Sequence, residues 1–360
     1  MLVPEHAVDA VLGVSHSELS EATGRRWFHK PGALPTDAIL DWKGLNRALR
    51  YGNLDTGQVR LVGGRVATEE LFHRSVAGGS RIYHRIAPEA VHRALDSGGT
   101  LVIDQLDLVD PWADEVARAL SGVFSARVQA NVYASLRGAP GFGAHRDTHD
   151  VFVVQGSGKK HWTVKPAEGT DTGGASFTME PGDVLYLPEG TTHDVGTHAR
   201  GSLHITFAIP RPNLGELLAW RTAGSGAALL RTPVDPSDPG AAAGSVTDWA
   251  GRAVEEADVR RFLEDGVGRG MAPSFTNLPF ACGDGLTVGD DLPVRHGLSA
   301  RRSFVSVLPD GAGDHARLLA RLSANDRTPV KELLADAGVD DPVAVFRDLV
   351  RWGHVEVSET

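Results

Sequence analysis

Residues 131–162 read NVYASLRGAPGFGAHRDTHDVFVVQGSGKKHW, and the fold turns on how this stretch is read. His145 and Asp147 stand two apart, so in an extended chain both side chains leave the same face. One imidazole and one carboxylate facing a common point hold a divalent metal weakly. A second imidazole from another strand would complete a set of two histidines and one carboxylate on one face of the ion. His193, in GDVLYLPEGTTHDVGT, is the candidate: an apolar strand, Val184–Leu187, meets a Pro-Glu-Gly turn, which would put the histidine just past a strand end. A His-x-Asp pair alone is common on surfaces. His354 and Glu356 form such a pair with no third group beside them.

The downstream segment adds a cation. A three-residue ligand set on Fe(II) keeps three positions open, enough for a chelating 2-oxo acid and for O2. 2-Oxoglutarate chelates through its 2-oxo acid end and projects a second carboxylate that needs a fixed positive charge. Lys159 and Lys160 follow the turn Gly156–Gly158, and a hairpin there would lay their strand beside the metal ligands. Alternation lets only one of them point inward. Trp162 and Val164 share parity with Lys160, which takes the inward face.

The surrounding texture is a series of short strands. The expected ones are Arg127–Ser135, Ala144–Thr148, Asp150–Gln155, Lys159–Lys165, Ser176–Met179, Asp183–Leu187, Asp194–His198 and Ser202–Ile209, separated by Gly- and Pro-bearing turns. Strands at this spacing predict a jelly roll or small barrel. Before them, a short helix capped by Ser15 or Ser17 ends near Gly24, Pro88–Leu95 and Pro111–Ser121 read as helices, and Thr100–Asp104 as a buried strand. After Pro210 the pattern turns helical, with Asn213–Thr222 and Val246–Glu264 flanking a Gly/Ala/Pro-rich break at Ala223–Gly244. Asp314–Leu322, Pro329–Ala337 and Pro342–Trp352 then read as amphipathic helices and Gly353–Val357 as a wing strand, a winged-helix pattern. The class is α+β: a jelly roll (double-stranded β-helix) or small barrel over 1–210 with an N-terminal extension, a helical region over 211–295 and a winged helix over 296–360.

Composition narrows the function. With 41% hydrophobic and 23% charged residues the chain is globular. A net charge of −10 disfavours non-specific nucleic-acid binding and suits a basic protein or peptide partner. In the terminal unit Asp340, Asp341 and Asp348 oppose Arg347 and Arg351, so an interaction or scaffold role is expected there, with no direct nucleic-acid binding. Cys282 is the only cysteine, the N-terminal stretch has neither a basic region nor a long apolar run, and no stretch has the apolar length of a membrane span. A cytoplasmic protein is expected.

The segments NVYAS, HRD, DVFVVQGSGKKHW, PGDVLYLPEGTTH and SLHITF resemble the JmjC-type (cupin) 2-oxoglutarate oxygenases, and within them the ribosomal-oxygenase branch of protein hydroxylases. The resemblance is clear from about Leu101 to Ile209 and extends over the helical region and winged helix, where it implies a homodimer. It implies that His145, Asp147 and His193 hold Fe(II), that Lys160 binds the far carboxylate of the co-substrate 2-oxoglutarate, and that Asn131 and Tyr133, on one face of their strand, contact co-substrate or substrate. O2 is the oxidant. His204 reads equally as a pocket residue beside the co-substrate and as a core histidine. Gln105, ending TLVIDQ, reads equally as a substrate contact and as a helix cap. His149 is expected outside the ligand set, and His161 and His198 as exposed strand residues. The implied reaction oxidises a substrate C–H while 2-oxoglutarate becomes succinate and CO2, and in that branch the substrate is the β-carbon of an arginine or histidine of a ribosomal protein. An arginine-rich biosynthetic peptide would suit the acidic chain as well. Demethylation of Nε-methyl-lysine would use the same site. A non-catalytic interaction protein would not need the three ligands and the lysine, and a cupin isomerase site would add a His-x-His that is missing here.

Overall fold

The computed structural model describes residues 5–77, 81–137, 143–165, 173–197, 201–224, 238–251, 259–260, 262–263, 298–302, 312–322 and 327–359. The chain enters through α1 (Glu5–Leu12) and α2 (His16–Ala22). Ser15 caps α2 in a reciprocal box with Glu18, which satisfies backbone donors that the first turn leaves open. β1 (Phe28–Lys30), α3 (Trp42–Tyr51), β2 (Val59–Val62), the hairpin of β3 (Phe72–Ala77) and β4 (Arg81–Ile86), α4 (Pro88–Asp96), β5 (Thr100–Ile103) and α5 (Pro111–Phe124) follow. Proline opens α4 and α5, where its missing N–H goes unneeded.

Seven strands then divide between two facing sheets. They are β6 (Gln129–Ser135), β7 (Asp150–Ser157), β8 (Lys160–Lys165), β9 (Ala175–Met179), β10 (Val184–Leu187), β11 (Thr192–Thr197) and β12 (Ser202–Ile209). The large sheet runs β1-β10-β7-β12-β6-β5-β2 and the small one β11-β8-β9, with antiparallel pairing throughout. This is the expected double-stranded β-helix. The runs DVFVVQ and DVLYL are apolar without alternation because both faces are buried. On β7 and β10, Phe152, Val154, Val184 and Tyr186 pack toward the helices, while Val151, Val153, Leu185 and Leu187 face the small sheet with Trp162 and Val164.

The turn between β7 and β8 needs glycine. Gly158 has φ +65°, and a Cβ there would lie 1.9 Å from the Gly201 carbonyl oxygen.

Several expectations change. Ala144–Thr148 is not a strand: among its residues only His145 bridges, to His193. Backbone bonds to His193 and Gly190 hold the segment as a pinned loop in place of a ladder. His193 is not past a strand end but is the second residue of β11, which starts at Thr192. The expected strand Asp194–His198 therefore shifts, and His198 lies outside the described residues. α6 (Leu214–Gly224) matches the first expected helix after Pro210. The next, α7 (Pro239–Gly251), begins inside the stretch expected as a break: proline again suits a first turn, and Ala241–Ala243 supply strong helix formers. Much of the stretch Val246–Glu264 beyond Gly251 lies outside the described residues.

The C-terminal segment contains α8 (Gly313–Ala320), α9 (Val330–Leu334) and α10 (Pro342–Arg351), with a sheet ordered β14-β13-β15 from β13 (Leu298–Arg302), β14 (Thr328–Pro329) and β15 (Val355–Glu359). It has its own core, in which Leu318, Leu333, Phe346 and Leu349 meet Leu298 and Val355. No helix among the described residues is long and apolar enough to cross a membrane.

Candidate functional site

The small sheet and the loop before β7 bring the three expected ligands together. The His145 N–H donates to the His193 carbonyl at 3.0 Å, and the His193 N–H donates back at 2.9 Å. The two histidines are thus fixed by backbone before their side chains are considered. Asp147 joins them through its own carbonyl, which accepts from Gly190 N–H at 3.0 Å and pins the ligand loop to the Pro-Glu-Gly turn. Asp147 Oδ2 lies 3.5 Å from His193 Nε2, and Oδ1 lies 4.0 Å from His145 Nε2. One ligand atom from each of the three residues falls within 4.8 Å of the others.

Both imidazoles present the same nitrogen. His145 Nδ1 lies 2.9 Å from the Gly143 carbonyl and His193 Nδ1 lies 3.0 Å from that of Thr191. A carbonyl can only accept, so each Nδ1 carries the proton and each Nε2 offers its lone pair toward the centre. Burial holds His193 below the ordinary histidine range, with the neighbouring His145 adding to the effect, which favours the neutral ligand form. The buried Asp150 braces the same turn, accepting from the Tyr186 hydroxyl at 2.7 Å and from Glu189 N–H at 2.7 Å.

A cavity of about 400 Å³ opens beside the three ligands, and Lys160, Asn131, Tyr133 and His204 all line it. Lys160 is 4% exposed and has no hydrogen-bond or ion-pair partner among the described residues. Burial pushes its ammonium down to about 8. A charge left unpaired in such a place is expensive, so the site fits an anionic ligand. Lys159, by contrast, pairs with Glu180 at the surface. His204 is buried with its ring stacked on Tyr133, centroids 4.9 Å apart, and its Nδ1 has no partner. Burial first, and then the Lys160 charge, hold it well below the ordinary range. Trp162 stands edge-on to the same ring at 5.8 Å, its Nε1 also without a partner.

Asn131 is oriented by its neighbour, since its Oδ1 accepts from Gln105 N–H at 3.2 Å. Gln105 itself has φ +56° and opens the 3-10 turn Leu106–Leu108 without a side-chain cap bond. It stands behind the wall, not in it, because the cavity-lining residues do not include it. His149 does line the cavity, as do Arg60, Thr206 and Gln129, which the motif region did not point to. Strand register places Arg60 there: it faces Val102, Val102 faces Tyr133, and Tyr133 faces His204, one row across β2, β5, β6 and β12. The inner wall is therefore polar at that end and apolar at β7 and β10.

A model described as the JmjC domain matches residues 108–217. The bifunctional lysine-specific demethylase and histidyl-hydroxylase NO66 of Brugia malayi is 29% identical over 172 residues, 41% of this chain and 23% of that protein. Ribosomal oxygenase 2 of Bos taurus is 38% identical over 108 residues, 26% of this chain and 23% of that protein. The chain thus spans about a quarter of the length of these curated relatives. Among solved structures, the Escherichia coli ribosomal oxygenase YcfD superposes with a TM-score of 0.63 at 17% identity over 96% of this chain and 99% of that one. A second YcfD structure, in complex with cobalt and 2-oxoglutarate, gives 0.62 at 17% over the same 96% and 99%. At that identity the likeness speaks for the fold. Segment matches, β-helix and ligand geometry agree, and residues 108–217 of this chain are a JmjC domain homologous to those of the ribosomal oxygenases.

Proposed function

We propose that this chain is an Fe(II)- and 2-oxoglutarate-dependent oxygenase that hydroxylates an amino-acid side chain, arginine or histidine at the β-carbon, in a ribosomal protein or a basic peptide. The observation that carries this reading is the coincidence, on one cavity, of three convergent ligands with Nε2 atoms presented and one buried ammonium without a partner. When bound, the metal and the oxo acid supply the oxidising chemistry. The protein supplies position. His145, Asp147 and His193 would hold the ion on one face, and Lys160 would grip the carboxylate distal to it. Asn131 and His204 would border the co-substrate, with Asn131 also reaching the substrate space that Tyr133 borders. Gln105 would act on substrate only through Asn131. Trp162, Val151 and Val195 line the same space and exclude water. No side chain is needed as general acid or base.

The rest of the chain is assigned by the same reading: catalytic unit 1–210, helical dimerisation region 211–295, winged helix 296–360. The separate core and three-stranded sheet of the last unit support its autonomy. The likeness to the ribosomal-oxygenase branch supports the reading of a homodimer. The net charge of −10 suits a basic partner and opposes direct nucleic-acid binding, and a single cysteine suits a reducing cytoplasm.

Purified protein supplied with Fe(II) and O2 should convert 2-oxoglutarate to succinate, and His145→Ala or Asp147→Ala should abolish this. Full turnover in both variants overturns the assignment. One relative is by name also a lysine-specific demethylase, which favours a second reading with the same ligands. Intact-mass comparison of ribosomal proteins and small peptides from cells with and without the gene separates the two, because hydroxylation adds one oxygen and demethylation removes a methyl group.

A further inference from the structure

We infer that Arg60, by covering Asp104, makes the substrate chamber select an uncharged hydrogen-bonding side chain, an imidazole or carboxamide, over a guanidinium. This rests on the oxygenase reading and narrows its substrate class. Arg60 comes from the edge strand β2 and reaches the cavity wall that Asn131, Tyr133 and Thr206 share. Its guanidinium is held on the Asp104 carboxylate, Nε to Oδ2 at 2.6 Å and Nη2 to Oδ1 at 3.0 Å, and it also engages the Tyr133 hydroxyl. Asp104 is anchored in turn, its N–H donating to the Gln58 carbonyl at 2.8 Å.

The charge pattern follows. Among the described residues that line the cavity, the cationic side chains are Arg60 and Lys160, and the sole carboxylate is Asp147, which belongs to the ligand set. A guanidinium seeks a planar carboxylate for paired hydrogen bonds. Here the Asp104 carboxylate, which lies behind Arg60, is already taken by that guanidinium. A substrate arginine would meet like charge and, among the described lining residues, no carboxylate outside the ligand set, whereas an imidazole or carboxamide is satisfied by the spare guanidinium donors and the neutral Asn131, Gln129 and Thr206 side chains. Withdrawing Arg60 would uncover Asp104 and reverse the preference.

The test uses the full chain loaded with Mn(II) and 2-oxoglutarate under anaerobic conditions at pH 8. Calorimetry first measures Mn(II) and 2-oxoglutarate binding, and failure there counts against the oxygenase reading, not the wall. Lysine-flanked peptides identical except for a central histidine, glutamine, arginine or glutamate are then titrated. The expected result is histidine or glutamine bound at least about tenfold more tightly than arginine. Arg60→Gln should close or invert that gap, and Arg60→Lys should preserve it. Several results would overturn the inference: arginine or glutamate preferred by the native chain, equal affinities, a ratio unmoved in Arg60→Gln, or no peptide bound by protein that holds both Mn(II) and 2-oxoglutarate. Circular dichroism of Arg60→Gln checks that β2 has kept its place, and an unfolded variant leaves the native ranking and Arg60→Lys to decide.

Discussion

Replacing Lys160 with methionine separates what this side chain does for stability from what it does for binding. In the folded chain its ammonium falls from the ordinary 10.5 to about 8 because burial disfavours the charged form. At about 1.36 kcal/mol for each tenfold, that depression corresponds to roughly 3 kcal/mol. The sign is set by proton binding. Between the folded value and the unfolded one the unfolded chain carries the proton and the folded chain does not, so stability rises with pH across that window. Below about pH 8 the lysine is charged in both states and the whole penalty is present. Lys160→Met, similar in length and uncharged, should therefore stabilise the ligand-free protein at pH 7 by up to about 3 kcal/mol, an advantage that fades toward pH 10.5. The same change should weaken 2-oxoglutarate binding by about 10- to 100-fold, the range for a charge-assisted hydrogen bond of roughly 1.5–3 kcal/mol. In the native protein that affinity should fall as pH climbs past about 8, and in the variant this fall should vanish. Urea unfolding at pH 7 and pH 10 and calorimetric titration of 2-oxoglutarate measure both effects. A variant less stable at pH 7, or one whose 2-oxoglutarate affinity is unchanged, refutes the reasoning and turns attention to another cation.

Two further substitutions test the scaffold. Gly158→Ala combines a left-handed φ of +65° with a Cβ 1.9 Å from the Gly201 carbonyl oxygen, so a loss of roughly 2 kcal/mol or more in urea unfolding is expected, and a neutral result would mean that the turn can relax. Tyr186→Phe removes the hydroxyl that donates to buried Asp150 at 2.7 Å. It should cost about 1–3 kcal/mol and loosen metal binding, because Asp150 also holds Glu189 in the turn that carries His193; stability loss with metal affinity intact would uncouple the brace from the site.

What could be read from the residues alone follows the physics of alternation. Lys160 was separable from Lys159 because Trp162 and Val164 share its parity, and the small sheet buries all three. The ligands were legible as residue types at a spacing, but their backbone was not. His-x-Asp places two side chains together in a strand and in a pinned loop alike, and here a single bridge at His145 does it. Arg60 stayed hidden for another reason: its place in the cavity is set by strand register across β2, β5 and β6, pairings that no local pattern encodes. His149, expected outside the ligand set, still reaches the cavity wall. β13 was missed because LSARR is short and carries two arginines, one of which, Arg302, is buried all the same.

The reciprocal bonds between the His145 and His193 backbones bear on how ligand variants should be interpreted. Each bond joins peptide groups, so truncating either imidazole leaves both intact, and Asp147 keeps its carbonyl on Gly190 even when its carboxylate is gone. The site is therefore assembled by the main chain and furnished by the side chains, which is the arrangement that preorganises a metal centre at least entropic expense. Loss of turnover in His145→Ala or Asp147→Ala would then report missing ligand atoms and not a collapsed loop. Hydrogen exchange can check this directly, since the amides of His145, His193 and Gly190 should stay protected in both variants.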